Sequence, residues 1–462
     1  MHNHTLFGVA LGAVAVLSGC ASSLTPARSG NSGDSSAALT PFAHRLSRDT
    51  SNLPTHVVVI VQENRSVDNL FQQLPGIDTQ NYGYNKKKVK IPLQVEALAW
   101  SADPSHAHSA FVTEFDNGKL DGFAQEKCGG CGADAAYSYV NPSDVAQYYA
   151  MAEQYAFADH NLQPNEGPSM PGHIYLIAAE TGQPGSTWYL SENPKTPKAK
   201  DPKDCLAVAG TTVEQINMAT AYPGVEGNPI FPCLDTTPTI IDEIQSAGLT
   251  WRYYTPNMGN LWTAPCVMQR YDCPNNSNVI TPETTVLSDI ANGDLANVSW
   301  VIPSAPNSDH PFKKGGGGGP AWVSSVVDAI GQSQYWDSTA IFVVWDDWGG
   351  WFDHYLSGNG HPTSNPTDPY EYGFRVPLMA IGPYVRPAYI SHTPRNSTSI
   401  LHFIEDNFGL ASLGYLDAQT DDLSELFNFA QNPNPFQPFD MGPMTLQQRR
   451  MLPPDPSPVD SD

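Results

Sequence analysis

The chain has 462 residues, 40% of them hydrophobic, which suffices for one large core or about two to three ordinary ones. Its 23 Lys and Arg face 47 Asp and Glu, a net charge of −24, so a broad basic face for nucleic-acid backbone is excluded and no nucleic-acid-binding partner is expected. The same charge repels phosphate-bearing ligands at long range, so chemistry on phosphate needs a local positive centre such as a bound metal.

The first element is an apolar run from Leu6 to Leu17, too short to span a bilayer, which ends in Leu17-Ser18-Gly19-Cys20. That ending is similar to a bacterial lipobox. Residues 1–20 then read as a lipoprotein signal peptide, with Cys20 lipidated, the protein exported to the cell envelope and held on a membrane through Cys20. The leader carries His2 and His4 but no Lys or Arg, and a plain secretory signal is the alternative. Residues 21–50, rich in Ser, Gly and Ala, read as a flexible tether.

The catalytic domain is expected over 51–414. His56-Val-Val-Val-Ile-Val61 is a β-branched apolar run of the kind buried on both faces of a parallel sheet, and Thr339-Ala-Ile-Phe-Val-Val-Trp345 is a second. Both end in polar bursts, Gln62-Glu-Asn-Arg-Ser66 and Asp346-Asp347. In open α/β sheets the ligand crevice lies beyond the carboxyl ends of the strands, so the two bursts are expected to meet. Trp322 to Ile330 and Thr398 to Phe408 read as helices. The result is an α/β sandwich.

Between the two strand runs, residues 183–282 are heavy in Pro, Asn, Gly and Thr and read as a loop-rich insertion. Six cysteines follow Cys20. Their clustering favours pairs Cys128–Cys131, Cys205–Cys233 and Cys266–Cys273, with a zinc site on Cys128-Gly-Gly-Cys131 as the competing idea. Residues 415–462, with several Pro-rich stretches, read as an extended tail.

Glu63 and Asn64 offer hard oxygen ligands for a divalent cation. Asp346 and Asp347 are adjacent carboxylates at the end of a buried strand, and they repel unless a cation lies between them. Gly349 and Gly350 let the backbone turn closely there, and His354 returns an imidazole to the rim as ligand or proton donor. Gly167-Pro168-Ser169-Met170-Pro171 holds a lone hydroxyl in a stiff turn before the apolar run Ile174 to Ala179, a setting that suits an aimed nucleophile. His106 and His310 are further imidazoles for steadying oxyanions or protonating a leaving group. Gly315 to Gly319, after Lys313-Lys314, lacks the phosphate-loop spacing and reads as a rim loop.

Taken together, these segments resemble a bacterial phosphoesterase family that includes phospholipases C and a metal-dependent acid phosphatase, related in fold to alkaline phosphatases. The resemblance runs through Val57 to Ser66, Asn117 to Phe123, Gly167 to Tyr175, Ser308 to Pro311, Trp345 to His354, Tyr372 to Pro377 and His392 to Phe408, in family order. It implies a three-layer α/β sandwich with a mostly parallel central sheet. By the same resemblance Glu63, Asn64, Asp346 and Asp347 hold one divalent metal, Ser169 is the nucleophile, and His106, His310 and His354 surround the transferring phosphoryl group. Hard oxygen ligands fit Ca, Mg or Mn, and the nearby histidines keep Zn or Fe open. The mechanism is attack by Ser169 on phosphorus, then hydrolysis of a phosphoserine.

Family members often carry Asn where Gly172 stands here. Serine at the nucleophile position resembles the acid-phosphatase branch and points to phosphomonoesters; threonine resembles the phospholipases C. A phospholipase C remains the alternative, with Trp251, Tyr253, Tyr254 and Trp262 as an apolar mouth for a lipid diester. A third reading is a surface lipoprotein that binds phosphate-bearing ligands without turnover.

Overall fold

A computed structural model describes residues 52–100, 102–126, 128, 131–132, 134–311, 316–356, 370 and 372–455. The expected signal peptide with Cys20, the tether over 21–50, and Lys313, Lys314 and Gly315 lie outside the described residues.

Eight strands form one sheet: β1 (His56–Gln62), β2 (Ala156–Ala158), β3 (Trp251–Tyr254), β4 (Val279–Ile280), β5 (Val298–Val301), β6 (Thr339–Trp345), β7 (Leu378–Ile381) and β8 (Tyr389–Ser391). Their order is β4-β3-β5-β1-β6-β7-β2-β8. Neighbours run parallel except at β7, which is antiparallel to both β6 and β2. The two apolar runs of the sequence, β1 and β6, lie side by side at the centre, paired from His56↔Thr339 to Gln62↔Trp345. Val57 to Val61 and Val343 to Trp345 have no exposed surface, as strands covered on both faces require.

The covering helices are α1 (Val67–Leu70), α2 (His108–Phe115), α3 (Ala146–Gln154), α4 (Ser169–Ala178), α5 (Ile240–Ser246), α6 (Thr285–Asn292), α7 (Gly319–Gly331) and α8 (Ser399–Phe408). Side chains alternate along a strand, so Phe342 and Trp345 of β6 point to opposite faces. Phe342 meets Phe403 of α8 with ring centroids 5.0 Å apart, whereas Trp345 meets Tyr148 of α3 at 5.1 Å. Phe342 shares a lateral row with Val59 and Trp300, and the Trp300 indole N–H donates to the Leu176 carbonyl of α4 at 3.2 Å. Helices α4 and α8 therefore cover one face and α3 the other, which makes three layers.

The expected insertion over 183–282 is more ordered than a polar composition suggests. Its early part carries a small antiparallel sheet, with Val213–Asn217 between Trp188–Leu190 and Glu226–Ile230. Its later part supplies β3 and β4 to the central sheet. Strand β3 was hidden because only four residues, Trp251-Arg-Tyr-Tyr254, carry the strand signal amid Pro and Asn. The six cysteines pair as Cys128–Cys131, Cys205–Cys233 and Cys266–Cys273. The tail beyond 414 packs onto the domain: Leu423 and Leu426 are fully buried, and Phe427 stacks on Phe403 at 4.9 Å. Isolated apolar residues between prolines gave no periodicity by which to foresee that packing. No helix among the described residues is long and apolar enough to cross a membrane.

Candidate active site

Because Gln62 and Trp345 are register partners, β1 and β6 release their chains side by side. The Asp346 N–H donates to the Gln62 carbonyl and the Arg65 N–H to the Asp347 carbonyl, both at 3.0 Å, so the two polar bursts are tied to each other. Asn64 turns into the left-handed region at φ 59°, which Asn tolerates, and its N–H donates to Asp346 Oδ1 at 3.0 Å. The Asp347 N–H reaches the same oxygen at 2.8 Å, and the Gly349 N–H holds Asp347 Oδ1 at 2.7 Å. Gly349 and Gly350 lie at φ 63° and 71°, and a Cβ on Gly349 would overlap the Asn64 carbonyl. Only glycine lets this loop close over the end of β1.

Ser169 is the first residue of α4, where the chain leaves the extended Pro168. The sequence suggested a turn before an apolar run; here the turn and the run fuse into one helix. Pro171 fits because the first turn needs no intrahelical N–H there. The Ser169 hydroxyl donates to Asp347 Oδ2 at 3.0 Å. Four residues on, the same helix face presents His173, whose Nε2 lies 3.1 and 3.3 Å from the two Glu63 oxygens and 3.5 Å from Asp346 Oδ2. At Gly172 a Cβ would sit 2.8 Å from the Asp346 carbonyl, so the helix seats against the strand end at a distance glycine alone permits without a shift. His173 was not among the residues singled out; its i, i+4 spacing from Ser169 was the available signal.

His106 stands at the mouth of α2, its Nδ1 3.0 Å from the Pro104 carbonyl and its Nε2 2.9 Å from the Asn64 amide nitrogen. The carbonyl accepts from Nδ1–H, which leaves Nε2 to accept from Asn64. The His310 ring is 6.3 Å from that of His106 and 6.0 Å from Trp262. The preceding residue anchors it: Asp309 accepts from Tyr148 at 2.9 Å and from the Trp345 indole at 3.0 Å, while Arg65 donates twice to its carbonyl. Arg65 thus ties the β1 exit to the His310 loop.

His354 departs from the expected arrangement. Its Nδ1 lies 2.7 Å from Asp68 and its Nε2 3.3 Å from Asp78, in a cluster with Asp353 and Arg375, so both ring nitrogens face aspartates. Burial opposes its charge, but the hydrogen bond and charge of Asp68 win and raise the imidazole above its ordinary value. The glycine turn at 349 and 350 redirects the chain between Asp347 and His354.

Ser169, Glu63, Asn64, His106 and Asp347 have no exposed surface. Burial, then the neighbouring Glu63, pushes Asp346 well above the usual carboxylate range; burial, then Asp346, pushes Asp347 up to about 7. Packed carboxylates of this kind ionise together only if a cation offsets them. Glu63, His173 and Asp346 bring ligand atoms within 4.8 Å of one another. Asn64 Oδ1 is buried and accepts no hydrogen bond from the described residues. These atoms fit a divalent ion, with Asn64 and Asp347 flanking the group and His173 added to the expected set.

A family model described as "Phosphoesterase family" matches residues 55–411. The chain belongs to the phosphoesterase family. It is 25% identical to a non-hemolytic phospholipase C of Pseudomonas aeruginosa over 89% of this chain and 62% of that protein. It is 24% identical to phospholipase C B of Mycobacterium tuberculosis over 83% of this chain and 79% of that protein. The phosphoesterase chain thus spans about three-fifths of the length of the Pseudomonas relative. A solved protein in the alkaline phosphatase superfamily from Vibrio parahaemolyticus aligns at TM-score 0.36, with 12% identity over 81% of this chain and 72% of that one.

Proposed function

We propose that this protein is an exported hydrolase that cleaves phosphate monoesters through a phosphoserine on Ser169. The observation that carries the reading is the Ser169 hydroxyl donating to Asp347 Oδ2 at 3.0 Å, at the start of a helix and beside Glu63, His173 and Asp346. Asp347 draws off the hydroxyl proton as Oγ attacks phosphorus; the O–P bond forms while the ester bond to the leaving alcohol breaks. The N-terminus of α4 favours the added negative charge. His310, in its protonated form, holds the phosphoryl oxygens and hands a proton to the leaving alkoxide, while His106 accepts from the Asn64 amide and fixes its orientation. Water then attacks the phosphoserine, giving back the Ser169 hydroxyl and releasing inorganic phosphate. Glu63, Asn64, Asp346 and Asp347, together with His173, would hold a divalent ion, which would supply the positive charge that lowers the hydroxyl pKa and offsets the phosphoryl charge. Oxygen donors favour Ca, Mg or Mn, and His173 favours Zn or Fe.

Serine at position 169 supports the monoester reading. So does the burial of Trp251, Tyr253, Tyr254 and Trp262, 0–2% exposed, which a lipid mouth would need to present. The second reading, phospholipase C, is favoured by the names of the relatives. Turnover of an aryl phosphomonoester against phosphatidylcholine separates the two: a faster monoester supports the first reading, and a faster diester replaces it. Attachment to the cell envelope through lipidated Cys20 completes the proposal.

A further inference from the structure

We propose that Asp159, His160 and His392, with Asp78 against His160, form a second metal site, for a transition-metal ion of the zinc class, sharing no residue with the site around Ser169. Asp159 and His160 follow β2 directly and His392 follows β8 directly; the strands are parallel neighbours with Ala158↔Ser391 in register. The carboxyl ends of two adjacent strands thus deliver ligands together, as β1 and β6 do at the catalytic site. Strand β7 separates β2 from β6, so the gap between β2 and β8 lies about three strand spacings, roughly 14 Å, from the gap between β1 and β6 along the same sheet edge.

Asp159, His160 and His392 bring ligand atoms within 4.8 Å of one another, and the Asp78 carboxylate stands against His160 as a fourth candidate. His392 Nδ1 is 2.9 Å from Asp159 Oδ1, His160 Nε2 is 3.9 Å from that oxygen, and His160 Nε2 is 3.0 Å from Asp78 Oδ2. A tetrahedral ion with bonds of about 2.0–2.1 Å places its ligand atoms about 3.3 Å apart, within this spread. The supporting contacts are those that fix metal-binding side chains. His160 Nδ1 donates to the His392 carbonyl at 2.8 Å, which fixes the ring with Nε2 facing Asp78. The Asp78 N–H holds Asp159 Oδ2 at 2.8 Å, and Arg375 donates to the backbone carbonyls of both aspartates. Two imidazoles with two carboxylates suit zinc better than calcium or magnesium. Asp159 is buried while the His392 side chain is 55% exposed, so the site is anchored on one side and open on the other. An ion there clamps the edge strand β8 to β2 and to the segment at Asp78.

The test uses the full chain, stripped with a chelator and titrated with Zn²⁺ alone. Asp346→Ala removes a ligand of the catalytic site, so the remaining zinc reports the second site whichever metal serves catalysis. In that background we expect one zinc equivalent, a rise in the thermal midpoint on adding zinc, and the ligand-field absorption of a four-coordinate ion when Co²⁺ replaces zinc. Adding His392→Gln, a change at an exposed side chain, should weaken this binding at least ten-fold and abolish the zinc-dependent thermal shift; His160→Ala should do the same. If Asp346→Ala takes up no zinc, or if His392→Gln and His160→Ala leave its zinc affinity unchanged, the contact of His160 with Asp78 is a plain imidazolium ion pair and the proposal is overturned.

Discussion

The Ser169 hydroxyl and Asp347 Oδ2 lie 3.0 Å apart although 178 positions separate them in the chain. Helix α4 brings one and the end of β6 brings the other. The close seat of Gly172 on the Asp346 carbonyl sets the distance between them. The hydroxyl and its proton acceptor are therefore positioned by backbone packing, not by two flexible side chains finding each other.

His173 is expected to act on the metal rather than on the substrate. Its Nε2 meets both Glu63 oxygens and Asp346, so His173→Gln should weaken metal affinity by about 10–100-fold while excess metal restores much of the turnover. Metal titration followed by activity checks this. Unchanged affinity with a large fall in turnover at saturating metal would instead make His173 a participant in the chemistry.

Gly349→Ala should disturb both the fold and the site. The left-handed backbone at φ 63° costs an alanine about 1–2 kcal/mol, and its methyl overlaps the Asn64 carbonyl. Denaturant unfolding should show at least that loss, and metal titration a weaker site, since Asn64 is displaced. A wild-type unfolding midpoint would mean that the loop has room the structure does not show.

The pH dependence of stability should carry a mark from Glu405, which burial, and then Asp417, pushes up to about 9 from an ordinary 4.5. Between those values the folded chain keeps a proton that the unfolded chain has released. The Glu405 contribution is therefore complete below its ordinary pKa, declines as pH rises, and is lost above about 9. Glu405→Gln keeps an oxygen to accept from the Leu413 N–H and never ionises, so its urea midpoint should fall less steeply toward alkaline pH than that of wild type. Parallel pH profiles for the two proteins would rule this out.

Much of the centre of this molecule was legible in the sequence. Two runs of β-branched residues marked β1 and β6, and the polar residues after each marked the place where they meet. What stayed hidden depended on contacts between distant segments. His354 follows the same motif as Asp347, yet the glycine turn carries it to Asp68. His173 is one helical turn from Ser169, a relation that exists only once the proline-flanked turn is recognised as the first turn of a helix. Strand β3 is short and set among Pro and Asn, and its identity comes from pairing with β5 rather than from its own periodicity.

The most direct test of the phosphoserine account measures metal content and turnover of Ser169→Ala and Asp346→Ala beside wild type. Removing the serine oxygen leaves Glu63, Asn64, Asp346 and Asp347 in place, so Ser169→Ala should keep its catalytic metal and still bind phosphate or vanadate while turnover falls by about 10³-fold or more. Asp346→Ala should lose the catalytic metal, oxyanion binding and turnover together, while any ion at the second site stays, and excess metal should restore part of the activity. Near-normal turnover in Ser169→Ala would contradict the account, because hydrolysis would then proceed without the serine.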